Sequence, residues 1–432
     1  MAFKTSTKKS LSATVYYILT AFLFIWVALF QIGRVLPLWA KGITTAPVSL
    51  FTIHFTILGF MLTAAFGVMY QFIPIAFQAP PIGRHVLYWH LPIHALASVV
   101  LSVGFLRFQM QMVMIGGIFL LCNSIAYLTV VLQSYRKARN QTFVHKGMLL
   151  PIVAVVVVMI FGIWMAAGLP GTGQALLEAH IFLGAFVFWS GLVIVLSYKL
   201  IPMFTLSHGY KISQKTTIFL YFFSLALMMI GDIAFRTGPQ FLGQVIIILG
   251  AVLGIAAYIR FTVDIYKILQ ARKRKSIVLP IRYSLVSTGI LILSGILAFL
   301  MIAFQQAQFF YGIGYVMLFG GFVPLIFSYA QKIIPFLWYE YRFSHRPERK
   351  QAPLMDDMVS HWRAKWSMNL YYLGVCIGLL HFFIRYGNGA YVPQWVDSIA
   401  DPLSGILSMV AGVLLFSALV RVLTIGGPRP KD

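Results

Sequence analysis

The chain has 432 residues, 60% of them hydrophobic and only 10% charged, against about 25% charged in an average soluble domain. That balance excludes a soluble enzyme or soluble binding module and places the chain in a bilayer. The formal net charge of +23 invites a nucleic-acid reading. However, the basic residues crowd into alternate loops between apolar runs, which is a signal of membrane topology and not of a basic binding face.

Twelve apolar runs are each long enough for a helix to cross a hydrocarbon core of about 30 Å. The first, near 14–36, lacks a small-residue cleavage site and is too long for a signal peptide, so it is expected to persist as a helix. The second, 47–74, carries His54 near its start and closes with Tyr70-Gln71-Phe72-Ile73-Pro74. The third, 86–108, holds His90 and His94 in "YWHLPIH", one turn apart on one face. The fourth, 111–134, is entered through "FQMQMVM". Its Met110, Met112 and Met114 offer soft thioethers suited to Cu(I), although a Met-rich apolar turn reads the same letters equally well.

The fifth run, 148–168, leads to a sixth, 175–200, which opens with Glu178 and His180 and closes with Tyr198-Lys199-Leu200-Ile201-Pro202. The seventh and eighth, 216–236 and 239–266, have Asp232 and Asp264 at or near their ends. The ninth is 283–305. The tenth, 309–336, contains no histidine and closes with Gln331-Lys332-Ile333-Ile334-Pro335. After a polar connection near 340–365, expected as a loop or surface helix, come 366–386 with His381 and Arg385, and finally 402–424. Cys122 and Cys376 both lie in apolar runs and give no disulfide framework.

With the N-terminus inside, the inner loops take Lys4, Lys8, Lys9, Arg84, Arg136, Lys137, Arg139, Lys146, Lys211, Lys215 and the run Arg272 to Lys275. They also take Arg342, Arg346, Arg349, Lys350, Arg363 and Lys365, while the outer loops keep only Arg34, Lys41, Arg107, Arg236 and Arg385. The positive-inside rule therefore puts both termini on the cytoplasmic side of the plasma membrane. The closing prolines Pro74, Pro202 and Pro335 lie 128 and 133 residues apart. Proline alone commonly ends a helix. Near-constant spacing, a polar or aromatic residue four positions earlier and a glycine-rich body in three places indicate a repeat of four helices. The expected architecture is one all-α transmembrane domain, 1–432, of three pseudo-symmetric four-helix arcs over about 14–134, 148–266 and 283–424.

Ionisable residues within a bilayer are functional candidates by default. Alternating helix direction puts His54, His180 and His381 at one depth, in the outer third. A lone membrane histidine is more often a packing residue than a ligand, but three at one depth on Gly- and Phe-rich helices suit axial ligation of haem iron. His54 and His381 are the expected pair, with His180 available to a second metal or a gas. Arg385 fits either a haem propionate or a membrane-end anchor. His90 and His94 form a candidate second, inner metal site. No Walker loop, GxSxG or HExxH occurs.

The helix 2 histidine followed by "LGFMLTAAFGVMYQFIP", with "SYKLIPMF" at 197–204 and "KIIPFLWY" at 332–339, resembles subunit I of the haem-copper oxidase superfamily, in particular the C-type oxidases and nitric oxide reductases. The resemblance implies an axial haem role for His54. It also has gaps. The histidines that the family carries on helix 10 and the copper-binding pair on helix 7 are absent, so the standard binuclear centre is not expected and proton-pumping oxygen reduction is not implied. Helix 11 follows helix 10 in sequence, so His381 is the replacement ligand on offer. Short relatives such as NnrS-type proteins are similar in kind. The leading expectation is a b-type haemoprotein handling electrons or a small gas, NO or O2, with quinol or cytochrome as donor and an oxidoreductase role left open. The rivals are a copper or haem transporter and a non-catalytic sensor or assembly partner of a respiratory oxidase.

Overall fold

A computed structural model describes residues 7–137, 143–306, 309–343 and 352–426, apart from positions 77, 81, 84 and 390. Lys4, Arg84, Arg139, Arg346, Arg349 and Lys350 lie outside these residues, as do the side chains of Lys8 and Lys9. Twelve described helices are long and apolar enough to span a membrane. They are α1 (Ala13–Phe30), α2 (Pro47–Gln71), α3 (His85–Leu106), α4 (Met110–Ser134), α5 (Lys146–Ala166) and α6 (Gln174–Thr205). The rest are α7 (Gln214–Thr237), α8 (Gln240–Gln270), α9 (Leu279–Ala303), α10 (Phe310–Phe343), α11 (His361–Asn388) and α12 (Val396–Val422). The protein is an all-α, multi-pass membrane protein; among the described residues the only extended pairing is one bridge between Ser207 and Arg272.

Several boundaries depart from expectation: α6 runs on to Thr205 and α10 to Phe343, and α12 starts at Val396. The first apolar run does not continue to 36 as one helix. The chain turns at Gln31, whose amide bonds back to Ala28, and a short helix Ile32–Ala40 follows. In the polar connection, α11 begins early at His361, taking Arg363 and Lys365 into its first turns.

Helix packing divides the chain into two compact units, residues 1–139, 278–287 and 322–432 in one and residues 140–277 and 288–321 in the other. The first holds α1–α4, most of α10, α11 and α12; the second holds α5–α8 and most of α9. This division cuts α9 and α10, so it does not follow the intervals expected for the repeat.

In the first unit, aromatic rings fill the centre. Phe22 of α1 stacks on Phe327 of α10 at 5.4 Å, and Phe60 of α2 meets both edge-on at 5.9 and 5.5 Å. Each such contact is worth about 0.5–1.5 kcal/mol beyond area burial. Glycine sets the closeness of the hairpins. A Cβ on Gly116 of α4 would lie 2.6 Å from the Leu101 amide of α3, and one on Gly374 of α11 would lie 2.9 Å from the Ser404 carbonyl of α12. In the second unit, Gly243 of α8 would meet the Phe235 amide of α7 at 2.3 Å. Small residues let membrane helices approach where no hydrophobic effect drives them together.

Three helices widen within their length into a π turn, at Phe55–Leu62 in α2, Leu183–Ser190 in α6 and Val316–Phe322 in α10, while α12 opens on another. Residues 55, 183 and 316 are separated by 128 and 133 positions, the same intervals as the three closing prolines. The wide turn frees carbonyls. Thr63 donates to the Leu58 carbonyl and Ser190 to the Ala185 carbonyl, both five residues back, at 3.3 and 2.8 Å.

Candidate functional site

A second π turn in the first unit, Val396–Ala400, opens α12 and carries Asp397; Asp401 follows at the start of the regular helix. The short helix Ile32–Ala40 closes over it. A Cβ at Gly33 would sit 3.0 Å from Pro402 Cα and 3.2 Å from the Asp401 carbonyl, so only glycine allows this approach without a shift. Asp401 is 0% exposed, as is His381 of α11. His381 Nδ1 donates to Asp401 Oδ2 at 2.8 Å, with Asp397 Oδ1 at 3.6 Å. His381 Nε2 and Asp401 Oδ1 are buried without a hydrogen-bond partner. One ligand atom from each of His381, Asp397 and Asp401 lies within 4.8 Å of the others.

His54, the last residue before the α2 π turn, donates from Nδ1 to the Leu50 carbonyl at 2.8 Å, and its ring lies 4.5 Å from that of Phe105 on α3. A carbonyl only accepts, so Nδ1 carries the proton and Nε2 the lone pair. His180 has the same tautomer through the Val158 carbonyl at 2.9 Å, with its ring over Gly162. His54 and His381 belong to one unit and His180 to the other. Arg385 is half-buried one turn beyond His381, and makes no ion pair with another described residue.

His90 and His94 are both 0% exposed on α3. His90 Nδ1 is hydrogen-bonded to the Tyr17 hydroxyl of α1 at 2.6 Å, and His94 Nε2 donates to the Leu58 carbonyl of α2 at 3.0 Å. The opposite nitrogen of each ring has no partner. The three methionines are not gathered on one face. α4 starts at Met110, so at 3.6 residues per turn Met112 points about 200° away from Met110 and Met114, and its Cβ lies toward Gly104 of α3.

Asp401 and Asn123 are not visible in the sequence as site residues, and the surroundings of Gln331 and Asp264 are not visible there either. Asp401 was hidden because an acid opening a helix reads as a partner of the helix dipole. Asn123 of α4 is 3% exposed and donates from Nδ2 to the His90 carbonyl at 3.3 Å. Gln331 of α10, where α2 has Tyr70 and α6 has Tyr198, is 1% exposed with neither amide atom bonded. The equivalent tyrosines are satisfied: Tyr70 donates to the Gly83 carbonyl at 2.5 Å and Tyr198 to Asp264 at 2.7 Å. Asp264, expected near a helix end, is 3% exposed and also accepts from Thr217 at 2.8 Å. Asp232 and Glu178 both pair with Arg236 at an exposed position.

No protein-family model matches the chain, and no curated protein matches it. A solved structure does: a heme-copper terminal oxidase dimer determined by cryo-EM, with TM-score 0.59 and 12% identity over 99% of this chain and 85% of that one. The chain has a haem-copper oxidase-like fold. At 12% identity the likeness covers the path of twelve helices and not the ligands they carry. The all-α architecture expected from the sequence is the one found.

Proposed function

We propose that the chain is a plasma-membrane haemoprotein that binds b-type haem through His54 and His381 and handles electrons or a small gas, NO or O2, near the outer face. The carrying observation is His381, fully buried, with Nδ1 tied to a buried carboxylate and Nε2 unpartnered. An axial histidine presents one nitrogen to iron and donates from the other to a carboxylate or carbonyl, and both His381 and His54 have that second bond. Bound haem would supply the redox-active, gas-binding iron. The chain's own residues fix ring tautomer and orientation: Asp401 for His381, the Leu50 carbonyl for His54. Arg385 is the propionate partner in this reading, and His180 the candidate for a second metal or gas.

In keeping with this reading, both termini lie on the cytoplasmic side and the scaffold is built from three repeats, about 14–134, 148–266 and 283–424. Quinol or cytochrome is the chain's electron donor within a respiratory assembly, and its role is akin to that of nitric oxide reductases and NnrS-type proteins.

One observation favours a second reading. Two ligands held about 2.1 Å from a single ion stand 2.8 and 3.6 Å apart at angles of about 85° and about 118°, so His381, Asp397 and Asp401 also fit a non-haem divalent cation. Absorption spectra of the purified protein, oxidised and dithionite-reduced, with pyridine haemochrome and metal analysis, separate the two. A stoichiometric b-type spectrum lost in His381→Ala supports haem. A colourless protein that loses one divalent ion in the same variant supports the cation. A colourless, metal-free protein overturns both.

A further inference from the structure

We infer that His90, His94 and Asn123 form a separate site for one copper(I) ion, between α3 and α4 and independent of the haem reading. Three buried atoms, His90 Nε2, His94 Nδ1 and Asn123 Oδ1, have no hydrogen-bond partner. Each belongs to a side chain already anchored at its other polar atom, by Tyr17, by the Leu58 carbonyl and by the His90 carbonyl respectively. A histidine that only packs gains nothing from this arrangement, because each unsatisfied buried polar atom costs about 1–3 kcal/mol. Metal-binding histidines, in contrast, characteristically use the second nitrogen to fix the ring. Ligation at His90 Nε2 requires Nδ1 to carry the proton and donate to the Tyr17 oxygen.

The two rings are parallel within 9°, with centroids 6.1 Å apart. Imidazoles on opposite sides of one ion, with metal–nitrogen bonds of about 2.0 Å, have centroids about 6 Å apart; the rings already stand at that separation, and rotation about their side-chain bonds would turn the two lone pairs toward one ion. Asn123 bonds to the backbone of the turn that joins the two histidines, which brings its carboxamide to the same place. No carboxylate faces the cluster among the contacts of the described residues. Burying two positive charges there would be costly, and a singly charged ion that accepts imidazole ligands meets the donor set. Phe66 stands steeply inclined to both rings at 5.1 and 5.3 Å, and Tyr127 lies 5.2 Å from His90, so the walls are aromatic.

The test is anaerobic titration of the purified full-length protein with Cu(I) against a chromogenic Cu(I) chelator, with X-ray absorption on the loaded sample. One equivalent should bind. It should be lost in His94→Ala and His90→Ala, weakened by about 10–100-fold in Tyr17→Phe, and retained in His54→Ala and His381→Ala. The absorption should report nitrogen ligands with imidazole scattering and no sulfur. Should the histidine variants fail to fold, the wild-type absorption spectrum decides alone. Sulfur scattering would move the ion to the methionines and overturn the site, as would a wild type that leaves all Cu(I) with the chelator, its open atoms then being met by water. Loss of copper in His54→Ala or His381→Ala would also overturn it, by placing the ion elsewhere.

Discussion

Asp264 in the second unit and His90 in the first are both buried in apolar surroundings, yet they are treated differently. Asp264 accepts from Tyr198 and Thr217, and Thr217 in turn accepts from Arg260 at 3.1 Å. His90 keeps one bond and leaves a nitrogen open. The contrast is general. Among the described residues, open buried polar atoms in the first unit include those of Thr56, His90, His94, Ser98, Ser102, Asn123, Gln331, His381 and Asp401, whereas the second unit has only Arg272 Nε. Nothing in bilayer physics asks for this asymmetry, since an unsatisfied polar group is expensive in either unit. Satisfied groups hold a scaffold together; open ones are where a ligand, an ion or water has a free energy to gain. The first unit is therefore where most of the chemistry is to be sought, and the second, apart from His180, is read as support.

The largest effects test that division at His54 and His381. Replacing either by Ala should abolish the Soret band of the purified protein while leaving its elution and helical content unchanged. A spectrum that persists in both would remove the haem site from the first unit. Next in size is Asp264→Ala, which leaves two buried hydroxyls without their acceptor, at about 1–3 kcal/mol each. Thermal unfolding in detergent should shift down clearly, with no change in haem or metal content. If instead cofactor is lost while stability holds, the second unit is not mere support. Gly243→Ala should cost somewhat less, about 1–3 kcal/mol, because its Cβ would meet the Phe235 backbone and the α7–α8 hairpin would have to open. A variant as stable as the parent would show that the hairpin is looser than its contacts indicate.

Much of the fold could be read from letters because a bilayer imposes length and hydropathy on every crossing. That constraint fixed the twelve spans, with several ends displaced by four to seven residues. It carries no information about hydrogen bonds between distant helices. The open nitrogen of His90 follows from Tyr17, 73 residues away, and that of His94 from Leu58, 36 residues away. Asp401 escaped for a different reason, since Asp-Pro at a helix start is what any helix would use; only the approach of Gly33 turns it into a buried acid. The π turns have no letter signature either. Shifting from i→i+4 to i→i+5 bonding is a backbone choice, and only their recurrence at 128 and 133 residues ties them to the spacing already visible in the prolines.

The smallest expected effect is the sharpest test of the contrast. Ser98 and Ser102 follow His90 and His94 along α3 at four-residue intervals, both 0% exposed and both with an unpartnered hydroxyl. Removing a hydroxyl that bonds to nothing discards a desolvation cost and forfeits little packing, so Ser98→Ala and Ser102→Ala should be neutral or slightly stabilising, within about 0.5 kcal/mol. Thr217→Ser, which keeps the bonded hydroxyl and deletes a buried methyl in the second unit, should cost more, on the order of 1 kcal/mol. If the serine variants instead lose 1 kcal/mol or more, their hydroxyls are bonded in the membrane, and ordered water is what meets them. The stripe from His90 to Ser102 would then be a hydrated column rather than a set of open ligand atoms, and the copper site at its His90 end would have to displace water to fill.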